Sequence, residues 1–358
     1  MQKRVRASWS EPYLKAELRE PISGTRVECA GAGFLTGASD LRLVNGQLWV
    51  ACDDRAHVAL VEWPFKESSA PVARLSPLFP ELAARHGTGP LPKPERPDVE
   101  CLARLQTPEG PRLLALSSGA TAVRRHAALL DPSRPDAPLV ASGRLESFFE
   151  HLAVRWDIVG TELNLEGAAG LGDCVRFMQR GNGAVRAERH GHNTVFDIGL
   201  TDWTEYFEAA MANPAAPFPH ETICNIYAYD LGRLETVRAT FSGADELSAD
   251  WLLYAASAEA SADVYQDGPT VGALIGFLSS DGRALQSPLR NPDGSLARQK
   301  VEGIVALGFD TDAIEVLLAV DPDGGAASPF LRAVLHGPVA GRVLDEVRGG
   351  AAPLKPRP

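Results

Sequence analysis

Positive charge, aromatic rings, paired cysteines and long apolar runs are all scarce in this chain of 358 residues. Lysine and arginine number 35 against 46 acidic residues, a formal net charge of −11. That balance works against non-specific attraction to nucleic acid or to an anionic membrane surface. The five cysteines (Cys29, Cys52, Cys101, Cys174 and Cys224) are odd in number and widely spaced, with no CxxC pair. A disulfide framework is therefore not expected, and the simple expectation is a reduced, cytoplasmic protein. No apolar run approaches the roughly 18 residues of a membrane span. The basic start "MQKRVRASWSEPY" leads into no apolar stretch, so no secretory signal is expected. HExxH, an EF-hand loop and a GxSxG elbow are all missing. The glycine-rich "GAGFLTG" opens no helix that could cradle a phosphate. No nucleotide or organic cofactor is indicated. Amphipathic helices are few: only Leu145–Trp156 and Asp202–Ala212 read as helices, both short.

Turn signals are what the chain has in quantity, with Gly 33 and Pro 27. Short apolar runs alternate with them, as in an all-β protein. Five segments align with one another, starting near residues 39, 98, 164, 244 and 301. Each reads as an acid, a short run, a variable turn and an apolar strand. A third run follows in every unit, and a weaker fourth in several. Units of three to four strands recurring at roughly 60 residues predict a β-propeller, because one small sheet buries its faces only against neighbours. Five blades are expected, with six as the alternative if the N-terminal runs "YLKAELRE" and "TRVECAG" form part of another. The two helices are insertions. A single domain over 1–338 and a C-terminal tail over 339–358 follow.

Two polar registers emerge from the alignment. The acids Asp40, Glu100, Glu166, Asp245 and Glu302 stand at the start of the first strands and should converge near the axis. Five residues beyond the aligned second-strand positions stand Asp53, Ser118, Arg180, Ser257 and Asp321, expected on the same face one shell out. A backbone-capping role is the ordinary explanation for any one of these acids. Five together repel, and something must offset them. Arg180 lies in the second register, with Arg124, Arg125 and Lys300 near it in sequence. A hard divalent cation such as Ca²⁺ with carboxylate ligands is the other solution. "DPDGGAASP" from Asp321 has the composition of a calcium loop but lacks its spaced glutamate. His190 and His192 read as loop residues.

The segments "DVECLARL…LLALSSGATAVRRHAALL", "LNLEGAA…MQRGN", "AASAEASADVYQDGPTVGALIG" and "KVEGIVAL…LLAVDPDGGAASPFLRAVL" resemble the phytase-like β-propeller proteins of bacteria, related in pattern to the "esterase-like activity of phytase" group. The resemblance runs from about Gly33 to Leu335. It implies a propeller and a Ca²⁺-dependent phosphoester or ester hydrolase. The dense aspartate runs and the lysine cluster suited to phytate are missing.

Three functions follow as expectations. In a metal-assisted hydrolase, Glu100, Glu166, Asp245 and Glu302 would hold the ion, with Asp40 as ligand or base. Arg180 and Arg124 would offset developing charge. Asp53, Ser118, Arg125, Ser257, Asp321 and Lys300 would contact the ligand, a small molecule. A metal-free glycosidase would use two of the acids, with Trp63, Trp203, Tyr206 and Tyr265 as candidate sugar platforms. A non-catalytic propeller would bind a small ligand or a protein on this face. The sequence specifies no oligomeric state.

Overall fold

The computed structural model describes residues 2–10, 12–21, 24–65, 70–260 and 268–350. The chain is all-β apart from five short α-helices and two 3-10 turns among the described residues. Four antiparallel strands in sequence order make the first sheet: Ala38–Val44, Gln47–Cys52, His57–Glu62 and Val72–Pro77. The second repeats this with Val99–Thr107, Gly110–Ser117, His126–Leu130 and Leu139–Arg144. The third has Leu165–Leu171, Cys174–Gln179, Asn193–Gly199 and Cys224–Asp230. The fourth has Val237–Glu246, Trp251–Glu259, Thr270–Ser279 and Ala284–Arg290. The fifth, continuous with the fourth through strand Lys15–Leu18, has Val301–Phe309, Ala313–Val320 and Pro329–His336.

Local chemistry sets these hairpins. Asn45 and Gly46, both at positive φ, join the first two strands. A two-residue loop of this kind matches the twist of the strands it connects. The first two strands of each sheet are buried along most of their length. That pattern belongs to sheets covered on both faces.

The first strands of the five sheets touch in a cycle. Ala38–Val44 packs on Val99–Thr107, which packs on Leu165–Leu171. Leu165–Leu171 then meets Val237–Glu246, that strand meets Val301–Phe309, and Val301–Phe309 returns to Ala38–Val44. Glycine makes the approach possible. A Cβ on Gly303 would lie 2.9 Å from Asp40 Cα, and one on Gly243 would lie 2.8 Å from the Glu302 carbonyl oxygen.

Each of these inner strands carries a β-bulge, near its start in four and mid-strand in Val237–Glu246. The register shifts at Ala38/Asp40, Val99/Cys101, Leu165/Gly167, Phe241/Gly243 and Val301/Gly303. The extra residues are Ser39, Glu100, Glu166, Ser242 and Glu302. A bulge re-aims the side chain it inserts. The register corrects the sequence alignment in two units: Ser39 and Ser242, not Asp40 and Asp245, are the equivalents of the three glutamates. The fourth sheet accordingly begins at Val237, seven residues before the unit start read at 244.

The N-terminal strands add to sheets already formed. Lys3–Arg6 pairs with Cys224–Asp230, and Ser8–Trp9 with Ala284–Arg290. Lys15–Leu18 lies between Ala284–Arg290 and Pro329–His336, giving the fifth sheet its fourth strand. Thr25–Arg26 and Glu28–Cys29 edge the fifth and first sheets. The first thirty residues thus lace the rims of four sheets.

The helix expected over Leu145–Trp156 forms as Glu146–Ala153 followed by a turn at Trp156–Val159, and the second spans Leu200–Ala212. The C-terminal segment read as a tail forms the α-helix Pro338–Gly350. Val339, Ala340, Val343, Leu344 and Val347 pack into the core of the fourth and fifth sheets. Their spacing is that of one helix face. Residues 351–358 and Tyr265 lie outside the described residues.

Candidate functional site

The bulges turn three glutamates toward one end of the cycle, where the second strands also finish. A cavity of about 130 Å³ opens there, lined by nine carboxylates and five basic side chains. Asp53, Arg180 and Asp321 of the second register line it, with Glu100, Glu166 and Glu302 of the first and with Arg124 and Lys300.

Two halves can be distinguished. In one, Asp53, Asp98 and Glu100 each bring an oxygen within 4.8 Å of the others. Asp98 stands two residues before the bulge at φ 59, a conformation an aspartate tolerates better than most residues. Ser118 Oγ and Arg124 Nη1 both donate to its Oδ2, Arg124 at 2.9 Å. Arg96 Nη1 lies 3.7 Å from Asp53 Oδ2, whereas the buried Asp53 Oδ1 accepts no hydrogen bond. Glu100 pairs with no cation and accepts no hydrogen bond among the described residues. Burial drives the Glu100 carboxyl well above its usual range, helped by Glu166, Asp98 and Asp53. Burial also raises Asp53, reinforced by Asp98, Asp54 and Asp321. Carboxylates that raise one another in this way are those a cation would stabilise. Gly37 makes room for the group: a Cβ there would fall 2.0 Å from Asp53 Oδ1.

In the other half the cations belong to the chain. Arg180 Nη2 lies 2.7 Å from Glu259, and its Nη1 lies 3.3 Å from Glu166 and 3.8 Å from Glu302. Lys300 Nζ lies 2.6 Å from Asp323 and 3.5 Å from Glu302. Asn164 Nδ2 donates to Glu166 at 2.6 Å. Neither Glu302 oxygen accepts a hydrogen bond, and burial lifts its carboxyl to about 8 against the pull of Arg180 and Lys300.

Five of the expected site residues do not line the cavity. Asp40 is fully buried, receiving Arg42 Nη1 at 2.9 Å and the N–H groups of Leu41 and Leu102 at 2.8 Å each. Asp245 accepts the Ala306 N–H at 2.9 Å and lies 3.7 Å from Arg42 Nε. Neither lines the cavity. The two aspartates tie neighbouring inner strands together around Arg42, so they are corrected from ligand or base to strand fasteners. Arg125 turns outward to Glu146 and Glu150, at 2.9 and 3.0 Å, because helix Glu146–Ala153 offers it two carboxylates. Ser257 is buried and donates to the Val301 carbonyl at 2.8 Å. Ser118 is buried behind Asp98 and acts on the site through it. Of the aromatics, Trp203 and Tyr206 are core residues and Trp63 stacks edge-on with Phe65. Among the described residues no aromatic ring lines the cavity. His190 and His192 do not line it either.

Sequence reading passed over Asp98, Glu259, Asp323, Asn182 and Arg96, all of which line the cavity. A signal was available. Asn182, Glu259 and Asp323 each follow a second-register residue by two, and Asp98 precedes Glu100 by two. Period-two spacing keeps side chains on one face of an extended chain.

No curated protein matches the chain. Solved structures resemble it at low TM-score. The tail fibre of a Staphylococcus aureus phage has 10% identity and a TM-score of 0.35, covering 96% of this chain and 57% of its own. The chain thus spans little more than half the length of that fibre. A functionally unknown protein from Desulfotomaculum acetoxidans has 9% identity and a TM-score of 0.29, covering 84% of this chain and 72% of its own. The hemagglutinin-neuraminidase of parainfluenza virus 5 has 9% identity and a TM-score of 0.31, covering 90% of this chain and 95% of its own. No helix among the described residues is long and apolar enough to cross a membrane. Residues 35–335 match a family described as "Family of unknown function (DUF6929)", and the chain belongs to that family.

Proposed function

We propose that the chain is a five-bladed β-propeller acting as a divalent-cation-assisted hydrolase of uncharged carboxylic esters at its channel mouth. The cyclic contact of five inner strands supports the propeller. The trio Asp53, Asp98 and Glu100, close together with Glu100 lacking a cation, carries the functional reading.

The trio fits a hard ion: all three donors are carboxylate oxygens, and a buried Asp53 oxygen has no partner. Asp53, Asp98 and Glu100 would hold it. A bound divalent ion supplies polarisation of an acyl oxygen and a more acidic water. The chain's own groups prepare that chemistry. Arg124 and Ser118 fix Asp98, and Arg96 holds one side of Asp53. Burial raises the Glu302 carboxyl above its usual range within the same cavity.

Charge separates the ester from the phosphoester. Four of the five basic side chains lining the cavity, Arg96, Arg124, Arg180 and Lys300, are each paired with a carboxylate. A phosphate dianion would compete with those carboxylates, whereas a neutral ester would not. The resemblance to phytase-like propellers is accordingly taken for fold and metal chemistry and not for a phosphorylated substrate. Among the described residues no aromatic ring lines the cavity to serve as a sugar platform.

The test is a panel of aryl esters and aryl phosphates assayed with Ca²⁺, Mg²⁺ or Mn²⁺. Ester turnover that chelation and Glu100→Gln both abolish is expected. Cation binding without turnover of any ester would favour a non-catalytic binding propeller.

A further inference from the structure

We infer that a second cleft beside the cavity is a subsite for an uncharged carbonyl group, so that the ester taken at the cavity carries a second, neutral carbonyl. The inference rests on the ester reading of the cavity and deepens it by naming the remote part of the substrate. The cleft, of about 210 Å³, is lined by Gly119–Thr121, Arg125, Ala153, Thr161–Leu163 and Arg186. Adjacent residues divide between the two hollows: Arg124 and Asn164 line the cavity, whereas Arg125 and Leu163 line the cleft. Neighbouring Cα atoms stand about 3.8 Å apart, so one short ligand spans both. Ala120, Ala153 and Leu163 give the cleft apolar surface. Gly119 keeps its loop tight against helix Glu146–Ala153, since a Cβ there would fall 2.3 Å from Phe149 Cδ1.

Arg125 supplies the recognition. Its Nη1 donates to Glu146 Oε2 at 2.9 Å and to Glu150 Oε1 at 3.0 Å, which uses both hydrogens of that nitrogen. Its Nε is buried and has no hydrogen-bond partner, and its Nη2 donates to no group among the described residues. The Nε and Nη2 hydrogens of a guanidinium point the same way from one edge, a fork suited to an oxygen with two lone pairs. Thr161 adds a second buried polar atom without a partner, its Oγ1. A buried donor left unpaired costs free energy that an accepting ligand oxygen would recover. Charge selects a neutral oxygen. Arg125, Arg144 and Arg186 are ion-paired with Glu146, Glu150 and Glu162, three groups of each sign. A ligand carboxylate would leave that set net negative and compete with Glu146 for Arg125, whereas a carbonyl adds no charge.

The test titrates chelator-treated, full-length protein, labelled at its alanine and threonine methyl groups, with N-acetylglycine ethyl ester and follows it by NMR. Ethyl pentanoate, of the same chain length without the amide carbonyl, is the control. The methyl signals of Ala120, Thr121, Ala153 and Thr161 should move with the first probe. Its dissociation constant should lie about fivefold or more below that of the control, the effect of one or two neutral hydrogen bonds. Arg125→Lys keeps the charge and loses the fork, and should bring the two constants within about twofold. Thr161→Val keeps the shape and should lower the preference about twofold, an independent reading should Arg125→Lys fail to fold. Unmoved cleft methyls, an unchanged preference in a folded variant, or tighter binding of the carboxylate N-acetylglycine overturns the inference. With Ca²⁺ restored, the preference should appear in KM and not in kcat, and a preference in kcat alone counts against it. Cleft binding with no turnover of either ester overturns the hydrolase reading and leaves the cleft as a ligand subsite; ester turnover without cleft binding does the reverse.

Discussion

Arg42→Met probes the reassignment of Asp40 and Asp245 from cavity ligands to fasteners of the inner strands. Arg42, with a side chain 3% exposed, holds Asp40 at 2.9 Å and Asp245 at 3.7 Å. It also donates to the Leu41 and Ala168 carbonyls at 2.6 and 2.9 Å. Methionine fills much of the volume but leaves two buried carboxylates without a cation. Removing one partner from a buried ion pair costs about 3–5 kcal/mol. Unfolding entropy of about 2.1 cal/mol/K per residue makes a chain of this length fall by about 4–7 °C in melting temperature for that loss. The pH dependence has a definite sign. Burial puts the folded Asp40 carboxyl at about 7 against an ordinary 3.8, so its protonated form favours the folded state. That contribution is complete below about pH 4 and is lost as pH rises through about 7. Without Arg42 the carboxyl moves higher still, so the deficit of the variant should grow from pH 5 to pH 8. Scanning calorimetry across that range is the assay, and Asp40→Asn/Arg42→Met should recover part of the loss. Ca²⁺ binding to the folded variant should stay within a factor of about two of the natural protein, a difference near 0.4 kcal/mol. A deficit below 1 °C at pH 7.5, or a large loss of cation affinity in the folded variant, would refute the reasoning.

Three further outcomes are expected. Glu302→Gln should flatten the melting-temperature profile between pH 5 and 9, since the natural carboxyl at about 8 gives up stability as pH rises through that value; an unchanged slope contradicts it. Gly37→Ala should weaken divalent-cation binding at least tenfold by calorimetry, because the new methyl meets Asp53 Oδ1 and the backbone sits at φ 59; unchanged affinity contradicts it. Leu344→Ala should cost about 2–4 kcal/mol in denaturant unfolding, the ordinary loss for a buried leucine; a cost within 0.5 kcal/mol would mean that the C-terminal helix is dispensable.

The strand pattern was legible in the sequence because turn chemistry and apolar runs repeat. Part of the second register was legible too: Asp53, Ser118, Arg180 and Asp321 each follow the strand that pairs with a bulged inner strand, and Asp53, Arg180 and Asp321 line the cavity, whereas Ser257 lies within its strand. The first register was misread in two units because identity of charge was used to align it. Asp40 and Asp245 are acids near the right place, but the bulge falls on Ser39 and Ser242, one and three residues earlier, and an odd-numbered slip sends a side chain to the opposite face. The C-terminal helix was missed for a different reason. Gly341, Gly349 and Gly350 lower its intrinsic propensity, and its stability comes from Val343 and Leu344 packing on sheets distant in sequence. The pairing of Arg125 with Glu146 rather than the cavity likewise depends on where a helix lands.

The most direct test of the proposed metal site is a crystal structure from crystals soaked in Mn²⁺, with anomalous differences collected near the manganese edge. The account predicts one peak per chain, lying between the carboxylates of Asp53, Asp98 and Glu100. A map without a peak there, or with its peak among Glu166, Glu259 and Glu302, would contradict it.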